Sequence, residues 1–306
     1  MYLLNYYLQK IMIPLDIWKI VFNLLDFKSQ MNMISVCSYF RNNLFITKLY
    51  NIDRHYLLKL TQKIIKYPIF KYVTDLNLED NVNVTNLSFL SYLKKINASG
   101  DSKINQRGIK NLNLVELDVG NNNKITNISF MKSLKKLLIW GDCEISQDNI
   151  RDLNLVELDV DLNSKINDVS FIKSLKILSA NSCGVDQNGI AGLDLYQLDV
   201  RNNRKIHDVS FMKSLKILIT NYVSGINQNG IKNLDLVELD INNNNKIKDV
   251  SFMKSLKKLS AYGFSGIDQK GINGLDLVEL NIKNNNKITN VTFMKSLKKL
   301  NGKIFE

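Results

Sequence analysis

Five leucines, Leu117, Leu158, Leu198, Leu239 and Leu280, fall at intervals of 41, 40, 41 and 41 residues. Each sits inside the same short phrase: LVELDV at 114–119 and 155–160, then LYQLDV at 195–200, LVELDI at 236–241 and LVELNI at 277–282. A second, looser phrase lies between them, SLKKLLI at 133–139, SLKILSA at 174–180, SLKILIT at 214–220 and SLKKLSA at 255–261. Leu117 to Leu137 is 20 residues and Leu137 to Leu158 is 21, so the unit is a coil of about 20 residues in two alternating types. A fixed period of this length predicts a stacked solenoid, in which each coil buries its apolar face only against its neighbours.

Both types follow L-x-x-L-x-L-x-x-N: Leu114, Leu117, Val119 and Asn122 in one, Leu134, Leu137, Ile139 and Asp142 in the other. The same grid runs back to Val73, Leu76, Leu78 and Asn81, and forward to Leu297 and Leu300. This pattern resembles the leucine-rich-repeat family. The follow-on Ile125-x-x-Ile128, then Met131 and Leu134, resembles its short variety with a tight, non-helical convex side. The expected fold class is an α/β solenoid of about twelve coils over residues 73–306, preceded by a small helical domain.

Recurring residues predict scaffold roles. Asn122, Asn163, Asn203, Asn244 and Asn285 follow the strands, where a side-chain amide can pair buried backbone groups in a ladder. Phe130, Phe171, Phe211, Phe252 and Phe293 recur in phase and predict a stacked aromatic spine. Gly108, Gly189, Gly230 and Gly271 share their slot with Asn149, which predicts a left-handed turn there.

Residues 13–53 differ in texture. Ile17, Val21, Leu24 and Leu25 form a helical apolar stripe after Pro14, which stands where a helix can begin. A second stripe runs through Met33, Ile34, Val36, Cys37 and Phe40 to Arg41. Ile13-Pro14 with Asp16, and then Val36-Cys37-Ser38-Tyr39-Phe40-Arg41, make this segment resemble an F-box, with Ile13 for the usual leucine and Phe40 for the more frequent tryptophan. The lysine- and asparagine-rich composition further resembles the F-box/leucine-rich-repeat proteins of giant amoeba viruses. The resemblance implies a Skp-type adaptor and a cullin ubiquitin ligase as partners, with Pro14, Ile17, Val21, Leu24, Leu25, Val36 and Phe40 as candidate adaptor contacts. It further implies that the repeats hold a target protein for ubiquitin transfer by other subunits. Residues 54–72 read as a basic helical connector or cap, with Tyr56, Leu57, Leu60 and Ile64 on one face and Pro68 ending it.

Residues flanking the middle leucine of each strand face outward on the concave side. In the LVELDV coils these are acidic, as in Glu116, Asp118, Glu157, Asp159, Asp199, Glu238 and Asp240. In the coils between they are basic or apolar: Lys136, Leu138, Trp140, Ile177, Ile217, Ile219 and Tyr262. The lysines predict cross-strand ion pairs. The aliphatic and aromatic residues, ringed by charge, predict a protein-binding surface, since such anchors carry interface energy.

Composition narrows the function. With 45% hydrophobic residues in 306 the chain can bury a sizeable core, and no apolar run is long enough to span a membrane. The first residues lack the basic leader of a secretory signal, and the three cysteines match no disulfide or zinc spacing, so an intracellular, cytoplasmic setting is expected (a host cell's, if the chain is viral). The net charge of +12 could suit nucleic acid, but the acid of the concave strands would repel phosphates, and that reading ranks behind protein binding. His55 and His207 pair with no nucleophile, the Asn-rich runs lack calcium's carboxylate density, and no Walker loop occurs. No cofactor, metal or catalytic centre is expected. A scaffold with a helical cap and no ubiquitin link is the alternative.

Overall fold

The computed structural model describes residues 14–304. It divides into two compact units, one ending at Leu134 and one beginning at Lys135. Ile13 of the F-box-like phrase and Phe305 lie outside the described residues.

The first unit opens with three helices. α1 (Leu15–Leu24) follows Pro14 at its N-cap, and α2 (Phe27–Val36) is capped by Asp26, whose carboxylate accepts from the Ser29 amide at 2.7 Å. α3 (Ser38–Asn43) completes the set. Phe22, Ile34, Cys37 and Phe40 are buried, and the Trp18 ring meets Phe40 edge-on at 5.0 Å. Strand β1 (Lys48–Leu49) then pairs in parallel with β2 (Asp75–Asn77), which leads to β3 (Lys95–Asn97) and β4 (Glu116–Asp118). The ladder of strands thus starts ahead of residue 73.

The connector is not one helix. It forms a short α4 (Arg54–Leu58) and two 3₁₀ turns, Ile64–Lys66 and Pro68–Phe70, so Pro68 begins a turn instead of ending a helix. The buried amide of Asn81 explains the break: it donates to the carbonyls of Leu57 and Leu60 at 2.7 and 3.1 Å, taking acceptors that a continuing helix would use.

The second unit stacks nine parallel strands in strict register: β5 (Lys136–Leu138), β6 (Glu157–Asp159), β7 (Ile177–Ser179), β8 (Gln197–Asp199), β9 (Ile217–Ile219), β10 (Glu238–Asp240), β11 (Lys258–Ser260), β12 (Glu279–Asn281) and β13 (Lys299–Leu300). The central leucines pair directly, Leu137 with Leu158, Leu178 with Leu198, Leu218 with Leu239, and Leu259 with Leu280, and all are buried. At ~25 cal/mol per Å² each such side chain contributes roughly 1.5–3 kcal/mol. β14 (Lys303–Ile304) folds back antiparallel on β13. The opposite side carries only 3₁₀ turns (Asn188–Ile190, Asn229–Ile231, Lys270–Ile272) and one α-turn, α5 (Gln147–Ile150), as the short repeat variety requires.

The asparagine ladder forms as the spacing predicts. Asn122, Asn163, Asn203, Asn244 and Asn285 are buried, and each Nδ2 donates to a carbonyl of the preceding coil. In the intervening coils the buried slot belongs to Ser102, Cys143, Cys183, Ser224 and Ser265. Strict L-x-x-L-x-L-x-x-N spacing assigned it to Asp142; the left-handed Gly141 in that turn brings Cys143 into it instead, and Asp142 is exposed.

Two scaffold expectations are corrected. Gly108, Gly189, Gly230 and Gly271 are not left-handed: an added Cβ would lie 2.1–2.2 Å from a backbone carbonyl oxygen of the preceding coil, so close approach demands glycine. Where Asn149 replaces it, the coil makes the α-turn α5 instead. The left-handed slot is the residue before the ladder asparagine: Asn121, Leu162, Asn202, Asn243 and Asn284 all have φ between 53 and 62°. That divides the labour within the asparagine runs, one residue tolerating the turn and the next building the ladder. The phenylalanines form no spine either. Phe130, Phe211, Phe252 and Phe293 are exposed, and a slot filled only in alternate coils places rings roughly 10 Å apart, beyond stacking.

Candidate functional site

The concave face of the second unit presents two rows of outward side chains, fixed by strand register. The first row runs Lys136, Glu157, Ile177, Gln197, Ile217, Glu238, Lys258, Glu279 and Lys299. Its ends are ion-paired. Lys136 Nζ lies 2.7 Å from Glu157, and Lys258 lies 3.8 and 3.7 Å from Glu238 and Glu279, the latter also reached by Lys299 at 3.6 Å. Partly exposed pairs of this kind contribute at most about 1 kcal/mol each. The centre is apolar: Ile177 and Ile217, both half-buried, flank Gln197.

The second row runs Leu138, Asp159, Ser179, Asp199, Ile219, Asp240, Ser260 and Asn281. Asp199 is buried and held by Arg201, whose Nε and guanidinium nitrogens approach at 2.7–3.0 Å. Burial raises the pKa of Asp240, with nearby Asp199 adding to it against the donors Asn242, Asn221 and Arg201. Asp161, two residues past Asp159, accepts from the Ser179 hydroxyl at 2.7 Å and the Asn181 amide at 2.8 Å. The structure therefore brings Ile177, Ile217 and Ile219 together on β7–β9. It leaves Leu138 and Trp140 on β5 and its following turn, with the acidic β6 between, and Tyr262 beyond β11. All seven concave candidates, Lys136, Leu138, Trp140, Ile177, Ile217, Ile219 and Tyr262, are half-buried.

The turns after the strands hold the most exposed apolar residues of this unit's repeats, and sequence reasoning missed them. Leu162 is 62% exposed and Phe264 84% exposed, with Tyr222 and Val223 also open to solvent. The available signal was a bulky residue at the turn position, Leu162 where like coils hold asparagine and Tyr222 where like coils hold Gly141, Ser182 or Gly263.

In the first unit the helical candidates divide. Pro14, Ile17, Val21, Leu24 and Val36 are exposed, Leu24 at 81%, and Ile20 joins them; Leu25 is half-buried. Phe40 is 4% exposed and belongs to the core of the three helices, since Trp18 packs on it. An open groove of about 540 Å³ lies nearby, lined by Leu25, Phe27, Tyr50, Tyr56, Asp75 and Lys95, with the Lys95 ammonium 3.9 Å above the Tyr50 ring and 2.8 Å from Glu116.

Among the described residues the cysteines Cys37, Cys143 and Cys183 are unpaired and buried, and burial pushes the Cys183 thiol up to about 11, so it stays protonated. Burial raises the Cys143 thiol as well. His207 lies in a loop, and the His55 ring faces Lys59 at 2.7 Å. Among the described residues no cluster of three or more His, Cys, Asp or Glu side chains could hold a metal ion. No helix among them is long and apolar enough to cross a membrane.

No protein-family model matches the chain, and no curated protein matches it in sequence. Solved structures do share its fold. An internalin (inlF) from Listeria monocytogenes aligns with a TM-score of 0.52 at 21% identity, over 81% of this chain and 92% of that one. Rad7, in the structure of the yeast Rad7 and Elc1 complex, aligns with a TM-score of 0.53 at 16% identity, over 84% of this chain and 74% of the other. The fold is a leucine-rich-repeat solenoid. The rows of Ile177, Ile217 and Asp240 are therefore the concave strand face of such a solenoid, and the buried asparagines are its ladder.

Proposed function

We propose that this protein is a non-catalytic recognition subunit, with α1 docking a Skp-type adaptor of a cullin ubiquitin ligase and the concave repeats holding a target protein. One observation carries the adaptor half of this reading. Ile17, Ile20, Val21 and Leu24 line one face of α1 at helical spacing and are all exposed, while the buried Phe22 and half-buried Trp18 point into the helical core. An apolar helix face of this kind, left uncovered by the described residues, suits a partner surface. The F-box-like phrase around Pro14 and Val36–Arg41 names the class of partner, and yeast Rad7, which shares the fold, was solved in complex with a second protein, Elc1. The target half rests on Ile177 and Ile217, an apolar centre between ion-paired flanks. The three unpaired cysteines suit the reducing interior of a cell.

The test is titration calorimetry of the full chain against a recombinant Skp-type adaptor, alone and as Val21→Asp/Leu24→Asp. Micromolar or tighter binding, weakened about 100-fold by the double substitution, is expected from loss of two buried anchors. No binding by the unsubstituted chain would remove the ligase role and leave a stand-alone protein-binding scaffold.

A further inference from the structure

The concave face carries a local charge opposite to that of the whole molecule. The chain has a net charge of +12, yet strands β6, β8 and β10 bring Asp159, Asp161, Asp199 and Asp240 to one side with Arg201 as the cation among them. Arg201 is spent on Asp199. Among the described residues neither Asp161 nor Asp240 has a cationic partner within ion-pair distance.

An independent feature lies beside Asp240. Asn221 is only 5% exposed, and its Nδ2 donates to the Asp240 carboxylate at 3.2 Å. That bond fixes the orientation of the amide, because the reverse would set oxygen against carboxylate. Asn221 Oδ1 is consequently a buried acceptor with no donor among the described residues. Orphaned buried acceptors are rare in native proteins, so a missing donor is the economical reading. Next to it Tyr222 is held left-handed at φ 57°, with its phenol beside that of Tyr262 two coils on, whose hydroxyl accepts from Asn243 Nδ2 at 3.3 Å. The turns after β9 and β11 bring these two phenols to the rim of the acidic strip.

We propose that this strip, centred on Asp240 and Asn221 and rimmed by Tyr222 and Tyr262, receives an arginine or lysine side chain from an extended segment of a partner protein. The cation would pair with Asp240, donate an N–H to Asn221 Oδ1, and rest against an aromatic face. Ile219, in register between Asp199 and Asp240, supplies the neighbouring apolar contact. The inference rests on the reading of the concave face as protein-binding and adds the chemistry of the partner: basic residues alternating with apolar ones.

Three fluorescent twelve-residue peptides test it, alternating leucine with arginine, glutamine or glutamate, titrated against the full chain at physiological salt. A field set only by the net charge would draw the glutamate peptide most strongly, so the expected order is opposite to the non-specific one. The arginine peptide should bind at least about 10-fold more tightly than the other two, and Asp240→Asn should remove that preference. Asn221→Leu, checked for unchanged urea midpoint, should weaken the arginine peptide about fivefold or more. Preference for glutamate or glutamine, or an arginine peptide indifferent to Asp240→Asn, overturns the inference. If another peptide binds and Ile177→Asp abolishes it, the concave reading stands without the cationic strip. If no peptide binds, both fall.

Discussion

The Nδ2 of Asn244 lies 2.9 Å from the carbonyl oxygen of Thr220 and 3.2 Å from that of Ile226, both in the coil before its own, while its Oδ1 accepts the Lys246 amide at 2.9 Å. One buried side chain thus closes three backbone groups that have no strand partner. Asn244→Leu fills similar volume but leaves those groups unpaired, at about 1–3 kcal/mol for each that water cannot reach. Urea unfolding should show a loss of at least about 3 kcal/mol. A loss under about 1 kcal/mol would mean that the ladder is decorative.

Gly230 tests the second device of the scaffold. Its added Cβ would sit 2.1 Å from the backbone oxygen of His207, and neither coil can yield without breaking the hydrogen bond from Val209 to the Gly230 carbonyl. Gly230→Ala should cost about 2–3 kcal/mol by overpacking. Gly192 is the control, because its φ is 68° and an added Cβ meets only the tip of Lys173. There the expected cost is about 1 kcal/mol, from the left-handed backbone alone. Equal midpoint shifts in the two variants would refute the distinction.

These two positions also show how far the residues alone could be read. Periodicity places the buried leucines of the strands and the asparagine ladder, because a solenoid repeats one environment and a repeated residue reports it. The glycines were legible as special but not for the right reason. A requirement for φ > 0 and a requirement for no Cβ leave the same letter, and only the distance from Gly230 to His207 separates them. The outward directions of Ile177, Ile217 and Ile219 follow from alternation. The orphaned acceptor of Asn221 and the Tyr222–Tyr262 contact do not, since they depend on side-chain reach between coils. Phe40 fails for a similar reason: a stripe of apolar residues marks a helix face without saying which residue turns inward.

Acid should loosen one edge selectively. The Ser214 hydroxyl and amide donate to the Asp194 carboxylate at 2.6 and 2.8 Å, and Ser255 and Ser296 do the same to Asp235 and Asp276. These hydrogen bonds, the hydroxyl's first, hold all three carboxyls below the ordinary 3.8. A native pKa below the unfolded one contributes stability that is fully present above about pH 4 and is lost as pH falls through the native values. Asp194→Asn/Asp235→Asn/Asp276→Asn should therefore have a lower urea midpoint than the parent at pH 7, with the gap closing on acidification. A gap that persists unchanged at pH 2 would rule this out.

Cys183 should act in the opposite direction, at high pH. Its native thiol, raised by burial to about 11, stays neutral after the unfolded chain's thiol has ionised near 9. Stability owed to this group is constant at neutral pH and declines as pH rises from about 9 to about 11. Serine occupies the equivalent buried slot at Ser224 and Ser265, so Cys183→Ser should fold, at a cost of about 1 kcal/mol or less. The parent's stability relative to this variant should shrink between pH 8 and pH 10.5. A constant difference would place the thiol in contact with water.

Leu162 is held at φ 60° with 62% of its surface exposed, in the slot that Asn202, Asn243 and Asn284 fill elsewhere. A left-handed leucine costs about 1–2 kcal/mol, and here little burial offsets it. Leu162→Asn should raise the urea midpoint by about 1 kcal/mol, and the converse Asn202→Leu should lower it similarly. Tyr222, at φ 57°, bears the same cost but also sets its phenol beside that of Tyr262. Tyr222→Asn should consequently gain less than Leu162→Asn, and Tyr222→Phe, which keeps the strain and loses the hydroxyl that faces Tyr262, should be the least stable of the three. A gain from Tyr222→Asn as large as that from Leu162→Asn would show that the tyrosine pair contributes nothing, so that backbone strain alone decides this slot.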